Sequence, residues 1–399
     1  MSEIQKHRDH RELGQEMDLF SFHEIAPGAP FWHPKGMIIF RALEKKAREL
    51  NDIHGYDEIS TPIMVKKEVF EKSGHWDHYR DNMFWFKNPM DENETLVIKP
   101  MNCPESTYIY SSKIRSYKDL PLRFAEIGRL HRNELSGTLG GMFRVRQITM
   151  DDAHIFVRPD QAEAEIGKTL NIINSFYKDL GFQATYFLAT RPEKALGDKK
   201  MWETAEKALE DALEKSGIKF EIAKGEGAFY GPKIEVHVKD SQERDWQLGT
   251  VQLDLMMLPE KFELFYIDEN GEKRKPMVIH RAIFGSFERF IGILLEHFDG
   301  ALPFWLSPIQ VSILTINEKI LEYAKKIAAK LQEKNIRAEL DLRNESIGKK
   351  IREAELQKIP YILVIGEKEM NENKISVRER GKGDLGSMSQ EEFLKKLGV

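Results

Sequence analysis

The chain predicts an α+β domain, an antiparallel sheet flanked by helices, over residues 1–302, and a smaller α/β domain over residues 303–399. Three observations lead there. Prolines bracket Pro303-Phe304-Trp305-Leu306-Ser307-Pro308, and the apolar pattern changes beyond it. Ahead of that seam, β-rich stretches follow one another and are joined by turns such as Asn270-Gly271, as in an antiparallel sheet. Behind it, strands alternate with helices, which implies a mostly parallel sheet with helices packed on it.

Taken in order, helical periodicity marks Met37 to Ile53, Pro104 to Ile114, Pro159 to Leu180, Lys200 to Lys215 and Phe284 to His297. Strands are expected at Leu122 to His131, Phe143 to Thr149, Ile234 to Val238, Gln247 to Leu255 and Phe262 to Ile267. Beyond the seam, a strand from Val311 to Ile316 leads into a helix with Ile320, Ala324, Ile327, Ala328 and Leu331 on one face. A strand from Ala338 to Leu342, a helix from Ser346 to Lys358 and a strand from Tyr361 to Ile365 complete a βαβαβ unit. Lys374 to Arg378 closes it, and Ser389 opens a last helix.

A chain of 399 residues is long enough for two or three domains, each with its own core. One cysteine excludes an intramolecular disulfide and fits a reducing cytoplasm. The charged stretch of residues 1–10 lacks the apolar core of a signal peptide, and no apolar run approaches the roughly 18 residues of a membrane span. A net charge of −5 argues against a protein that coats nucleic acid non-specifically. Its distribution is uneven: from Ser307 onward, 18 Lys and Arg outnumber 15 Asp and Glu, a mildly basic appendage on an acidic body that permits a local polyanion contact.

The cysteine, Cys103, stands in Lys99-Pro100-Met101-Asn102-Cys103-Pro104. A lone thiol is by default a small buried hydrophobe. However, His154 in Asp151-Asp152-Ala153-His154 and His280 in Val278-Ile279-His280-Arg281 each adjoin an apolar run that can hold an imidazole inward. One thiolate and two imidazoles make three zinc ligands with a fourth position open, the arrangement of a working metal rather than a structural one.

A second candidate is the stretch from Gly128 to Arg146, two apolar-rich strands joined by a Gly/Ser/Thr loop. Arg132 and Glu134 leave the first strand on one face, and Arg144 enters the second, so a guanidinium and a carboxylate point into one groove. An arginine fork suits a phosphate, and a carboxylate can accept from an exocyclic amine; a solvated, salt-bridged hairpin fits the same residues. Arg289, between Phe287 and Ile291 on an apolar helix, is costly to bury unless an anion meets it, and is otherwise a surface residue.

On these residues the chain resembles the class II aminoacyl-tRNA synthetases, specifically the catalytic and anticodon-binding parts of threonyl-tRNA synthetases, over essentially its whole length. Glu58-Ile59-Ser60-Thr61-Pro62 resembles the first class II motif, Arg132-Asn133-Glu134 and its loop the second, and the Gly285 to Arg289 helix the third. Pro100-Met101-Asn102-Cys103-Pro104, Asp151-Asp152-Ala153-His154, Gly227-Ala228-Phe229-Tyr230-Gly231-Pro232-Lys233 and the stretch from Gln247 to Asp254 make the resemblance specific.

The resemblance implies a dimeric, cytoplasmic threonine–tRNA ligase whose partners are ATP, L-threonine and tRNA(Thr). It implies catalytic roles for Arg132 and Arg289, and ATP contacts from Arg132, Glu134, Arg144, Gln247 and Arg289, with Mg2+ on the phosphates. Substrate contacts are implied for Met101, Asp152, Tyr230, Lys233, Gln252 and Ser286. One zinc ion per chain, on Cys103, His154 and His280, would meet the threonine amino and hydroxyl groups, because an apolar pocket separates threonine poorly from valine. Asn344, Glu369 and Arg378 would read anticodon bases, although Asn344 also suits a helix cap.

Ile148, Met150, Gly140 and Glu105-Ser106 depart from the family's usual residues, and Ile148, where a phenylalanine usually stacks on adenine, would leave that face aliphatic. Because the chain opens at the catalytic region, an N-terminal editing region is expected to be absent and seryl-tRNA to form. Two rival readings stay open here: a paralogue that has lost charging, and a zinc site that is purely structural.

Overall fold

The computed structural model describes residues 8–240 and 242–399. The charged stretch of residues 1–7 therefore lies outside the described residues. Contacts divide the described residues into two compact units, one of residues 22–30 and 44–293, the other of residues 8–21, 31–43 and 294–399.

The larger unit is built on an eight-stranded sheet of β1 (Asp57–Glu58), β2 (Leu122–His131), β3 (Gln147–Val157), β4 (Thr185–Ala189), β5 (Phe220–Ala223), β6 (Lys233–Lys239), β7 (Asp245–Asp254) and β8 (Met277–Ala282). The strand order is β5-β4-β6-β7-β8-β3-β2-β1. All neighbours are antiparallel except the outermost pair at each edge, β4 with β5 and β1 with β2. The expected antiparallel sheet with helices is therefore the architecture. Its helices include α1 (Cys103–Tyr110), α2 (Ala162–Asp179), α3 (Lys199–Lys215) and α4 (Phe287–His297). The apolar stripe of α2 buries Ile166, Leu170, Ile173, Phe176 and Tyr177, and Phe176 stacks on Phe284 just ahead of α4.

Two strand expectations need correction. Residues 143–146 form loop, and β3 instead runs from Gln147 through Asp152 and His154 to Val157. Phe143 and Val145 are apolar because they are buried loop residues, not because they alternate on a strand. The stretch from Phe262 to Ile267 keeps only Tyr266–Ile267 as strand; the Asp254 carboxylate accepts from the N–H groups of Met256, Met257 and Leu258 and turns the chain into a short helix, Leu258–Lys261.

The smaller unit carries a five-stranded sheet of β9 (Val311–Thr315), β10 (Ala338–Asp341), β11 (Tyr361–Ile365), β12 (Ile375–Glu379) and β13 (Gly383–Met388), in the order β10-β9-β11-β12-β13. The βαβαβ part is parallel as expected, while β12 and β13 add an antiparallel edge. Helices α5 (Leu321–Glu333), α6 (Ile347–Leu356) and α7 (Gln390–Leu397) belong to it. Ser389 caps α7 in a capping box with Glu392. The cap of α6 is Ser346, which accepts from Lys349 N–H, rather than Asn344. No helix among the described residues is long and apolar enough to cross a membrane.

One buried ion pair ties β3 to β8. Arg281 is 1% exposed and donates from Nη2 to Asp151 Oδ1 at 3.0 Å and from Nη1 to Asn51 Oδ1 at 2.9 Å, with its guanidinium over the Tyr56 ring. The other Asp151 oxygen accepts from Ile283 and Phe284 N–H and so fixes the turn into α4. Arg281→Met leaves the Asp151 charge buried and uncompensated, and is expected to lower the unfolding free energy by about 3–5 kcal/mol in urea titration. A loss below about 1 kcal/mol, the range of exposed pairs, contradicts this role.

Candidate active site

The register of the large sheet sets one row of side chains. Lys233 of β6 is paired with Gln252 of β7, Gln252 with His280 of β8, and His280 with His154 of β3. Directly paired residues project to the same face, so residues far apart in sequence stand side by side across four strands. Asp152, two residues before His154, shares that face and is paired with Glu126 of β2.

Cys103 joins the row from the first turn of α1. Its Sγ and one nitrogen of each of His154 and His280 all lie within 4.8 Å of one another. The residues are closed from solvent, at 9%, 1% and 4% exposure. His154 Nε2 and His280 Nδ1 are buried with no hydrogen-bond partner, which is costly unless a ligand meets them. His280 Nε2 approaches Asp254 Oδ2 at 3.4 Å, the outer-shell support that orients a ligating imidazole. Burial and the positive potential of His280 hold His154 well below the usual imidazole range, hence neutral. Burial, with Asp152 and Glu105 adding to it, pushes the Cys103 thiol up. A divalent cation would reverse that last effect, so the donor set, its orphaned nitrogens and the Asp254 carboxylate behind His280 all fit a zinc ion.

Around this set, Tyr230 donates its hydroxyl to Gln252 Oε1, and its ring lies 5.3 Å from that of His280. Asn102 Nδ2 donates to Asp152 Oδ2 at 3.1 Å. Gly128 makes room for it, since a Cβ there would fall 2.3 Å from the Asn102 amide. Burial pushes the Asp152 carboxyl up to about 6 against the pull of that bond. Met101 packs between two apolar clusters, one around Cys103 and one around Phe70, and does not line the neighbouring cavity.

That cavity, of about 270 Å³, is lined by Arg132, Glu134, Arg144, Ile148, Met150, Lys233, Gln247, Gln252, Ser286 and Arg289 among others. Arg132 and Glu134 are not on a strand face, because β2 ends at His131 and Glu134 N–H turns back onto Arg132 O at 2.8 Å. They reach the cavity from the loop instead. Arg132 Nε is held by Pro100 O at 3.2 Å, and Arg144, also in the loop, lies 3.4 Å from Glu134. Ile148 and Met150 contribute apolar side chains to the cavity wall.

Arg289 is set at the start of α4. Gly285 takes a positive φ of 71°, and Ser286 Oγ accepts from Arg289 N–H at 3.1 Å, capping the helix. The guanidinium then donates to Phe143 O at 2.9 Å and Gln247 O at 3.1 Å. Among the described residues no carboxylate forms an ion pair with it. Burial, with Arg132 and Arg144 as like charges nearby, pushes it down to about 10. Three arginines converging on one polar cavity suit a polyanion.

Sequence reasoning gave no role to Asn102, Asp254 or Glu235, which hold the predicted residues from behind. The signal for two of them was period two: Asp254 follows Gln252 and Glu235 follows Lys233 on one strand face. In the smaller unit, Asn344 is exposed in the loop before α6. Arg378 borders a cavity of about 320 Å³ and has a buried, unpartnered Nε. Glu369 closes on Gly366 N–H at 2.9 Å in a helix cap, so its carboxylate is already engaged.

An antiparallel sheet with an arginine-lined cleft, and a separate α/β unit, are the architecture that the class II synthetase resemblance implies. Residues 84–298 match the tRNA synthetase class II core domain (G, H, P, S and T), and residues 310–398 match the anticodon binding domain. The chain is 52% identical over 397 residues to a threonine–tRNA ligase of Clostridium tetani and 53% identical over 397 residues to one of Caldanaerobacter subterraneus. A crystal structure of the RNA binding domain of threonyl-tRNA synthetase from Cryptosporidium parvum matches with a TM-score of 0.93 at 40% identity, over 98% of each chain. The chain belongs to the threonyl-tRNA synthetase family. It spans 62% and 61% of the length of the two curated relatives.

The donor set predicts that the purified protein holds about one zinc ion per chain. Cys103→Ala and His280→Ala are expected to lose it at unchanged protein yield, read by elemental analysis. Full zinc retention in both variants contradicts the assignment.

Proposed function

We propose that the chain activates L-threonine with ATP and transfers the threonyl group to the 3′ end of tRNA(Thr), acting as a homodimer in the cytoplasm. The observation that carries this reading is the row Lys233–Gln252–His280–His154, lying against an arginine cleft on one sheet face.

In that reading Arg132 neutralises the α-phosphate, Glu134 accepts from the adenine amine, and Arg144 and Arg289 take the outer phosphates, which also carry Mg2+. The cavity's aliphatic wall of Ile148 and Met150 covers the base. The amino acid enters from the Cys103 side, where its carboxylate is brought to the α-phosphate; attack there forms threonyl-adenylate and releases pyrophosphate. Positioning and charge neutralisation by fixed side chains account for most of the rate. Lys233 and Gln252 flank the reacting group, and Tyr230, tied to Gln252, closes the pocket. Cys103, His154 and His280 would hold a zinc ion, which supplies a Lewis-acidic position for the amino and hydroxyl groups of threonine. Asp152, held by Asn102, accepts from the same hydroxyl. Asn344 and Arg378 contact unpaired anticodon bases.

The pocket's demand for a hydroxyl sets its selectivity. Valine leaves buried polar groups unpaired and is rejected by about 10⁴-fold or more, whereas serine differs by one methyl and is disfavoured by only about 10–200-fold. Amino-acid-dependent ATP–pyrophosphate exchange tests this with threonine, serine and valine, before and after chelation. The expected order is threonine, then serine, with valine at background, and chelation removing the exchange while the far-ultraviolet dichroism is retained. Exchange indifferent to threonine refutes the reading; unfolding on chelation would make the metal structural.

A further inference from the structure

Beyond the row of pocket residues, the same face of β6 carries a chain of charges that leads away from the cavity. Lys233 Nζ lies 2.6 Å from Glu235 Oε1. The other oxygen of Glu235 lies 3.3 Å from His237 Nε2, and His237 Nδ1 is hydrogen-bonded to Asp245 Oδ2 at the start of β7. Period two places residues 233, 235 and 237 on one face of the strand. A bulge between Val236 and His237 shifts the register, so that His237 is paired with Gln247 while Val236 is paired with Gly249. The bulge sits where the chain of contacts turns from β6 to β7, the kind of place where bulges re-aim a side chain.

We propose that Glu235 and His237 are positioning residues that hold the Lys233 ammonium toward the anionic group arriving in the cavity. A lysine side chain has four rotatable bonds, and a free one would lose that freedom when substrate binds. Glu235 removes that freedom beforehand. Being only 9% exposed, it needs a second partner to stay ionised, and His237 provides it. His237 is fixed in turn by Asp245 on one nitrogen and by edge contact with the Phe187 ring at 4.8 Å. Only Lys233, at the inner end, lines the cavity; Asp245, at the outer end, has half of its side chain in solvent. The order of the chain therefore runs from solvent to the reacting group. A ladder of purely structural ion pairs would be indifferent to which end met the cavity.

The proposal rests on the threonine-activation reading, and its test separates the two. Threonine-dependent pyrophosphate exchange is measured on the full chain for wild type, Lys233→Met, Glu235→Gln and the double variant, with thermal midpoints recorded for each. Lys233→Met is expected to lower kcat by about 10²–10³-fold, the scale of one preorganised electrostatic contact. Glu235→Gln is expected to lower kcat by about 10-fold with the threonine KM within about threefold, and to add less than about twofold in the Lys233→Met background, because residues that act as a unit are non-additive. His237→Gln, whose amide can still donate to Glu235, is expected to recover most of what His237→Ala loses.

Losses that multiply in the double variant, or Glu235→Gln at wild-type kcat, overturn the proposal while leaving threonine activation standing. Equal losses in His237→Gln and His237→Ala overturn the part assigned to His237. A wild-type chain without threonine-dependent exchange overturns the functional reading and this proposal together.

Discussion

Everything in the large unit depends on the antiparallel register of four adjacent strands. A slip of one residue on any of them would send its whole set of side chains to the opposite face. With Gln252 opposite both Lys233 and His280, and His280 opposite His154, polar groups that no local sequence signal connects become neighbours. The buried Arg281–Asp151 pair sits one residue away from this row on β8 and fixes β3 against it. Because Asp151 also accepts from Ile283 and Phe284 N–H, the same carboxylate sets the departure of the chain toward Gly285 and the capped helix that carries Arg289. Fold stability and site geometry thus share one buried ion pair.

The electrostatics of the face are divided in the same way. On one side, Arg132, Arg144 and Arg289 crowd positive charge into a cleft, with Glu134 as the acidic side chain among its lining. On the other, carboxylates gather behind two imidazoles and a thiol, where burial raises Asp152 and Glu105 toward their protonated forms. Each half is unfavourable on its own. A polyanion would relieve the first and a divalent cation the second, so that binding selectivity would be stored in groups that fold at a cost.

The chain's sequence made the smaller unit the easier to read. Alternating strands and helices, the uninterrupted apolar run at Tyr361–Ile365 and the serine cap at Ser389 are local signals, and all three stand. The additional strand Gly383–Met388 escaped because its glycines and exposed positions carry no alternation. In the larger unit, β2 was legible residue for residue, but Phe143 and Val145 imitated strand alternation while serving as buried loop residues beneath the cleft. The metal-ligand set could not be read from spacing, because Cys103, His154 and His280 are joined only by long-range pairing; the family resemblance, not the pattern, pointed to them. Supporting groups such as Asn102, Asp254 and Glu235 look like ordinary polar residues until their partners are placed.

The central claim is that one face of the sheet converges a thiolate and two imidazoles on an exchangeable ligand position that recognises the amino acid. X-ray absorption at the zinc edge of the purified protein, with and without threonine, tests it most directly. The account predicts one sulfur at about 2.3 Å and two imidazole nitrogens at about 2.0–2.1 Å, with the remaining light-atom shell changing on addition of threonine and not of valine. A shell without sulfur, or a closed four-ligand spectrum that threonine leaves untouched, would contradict it.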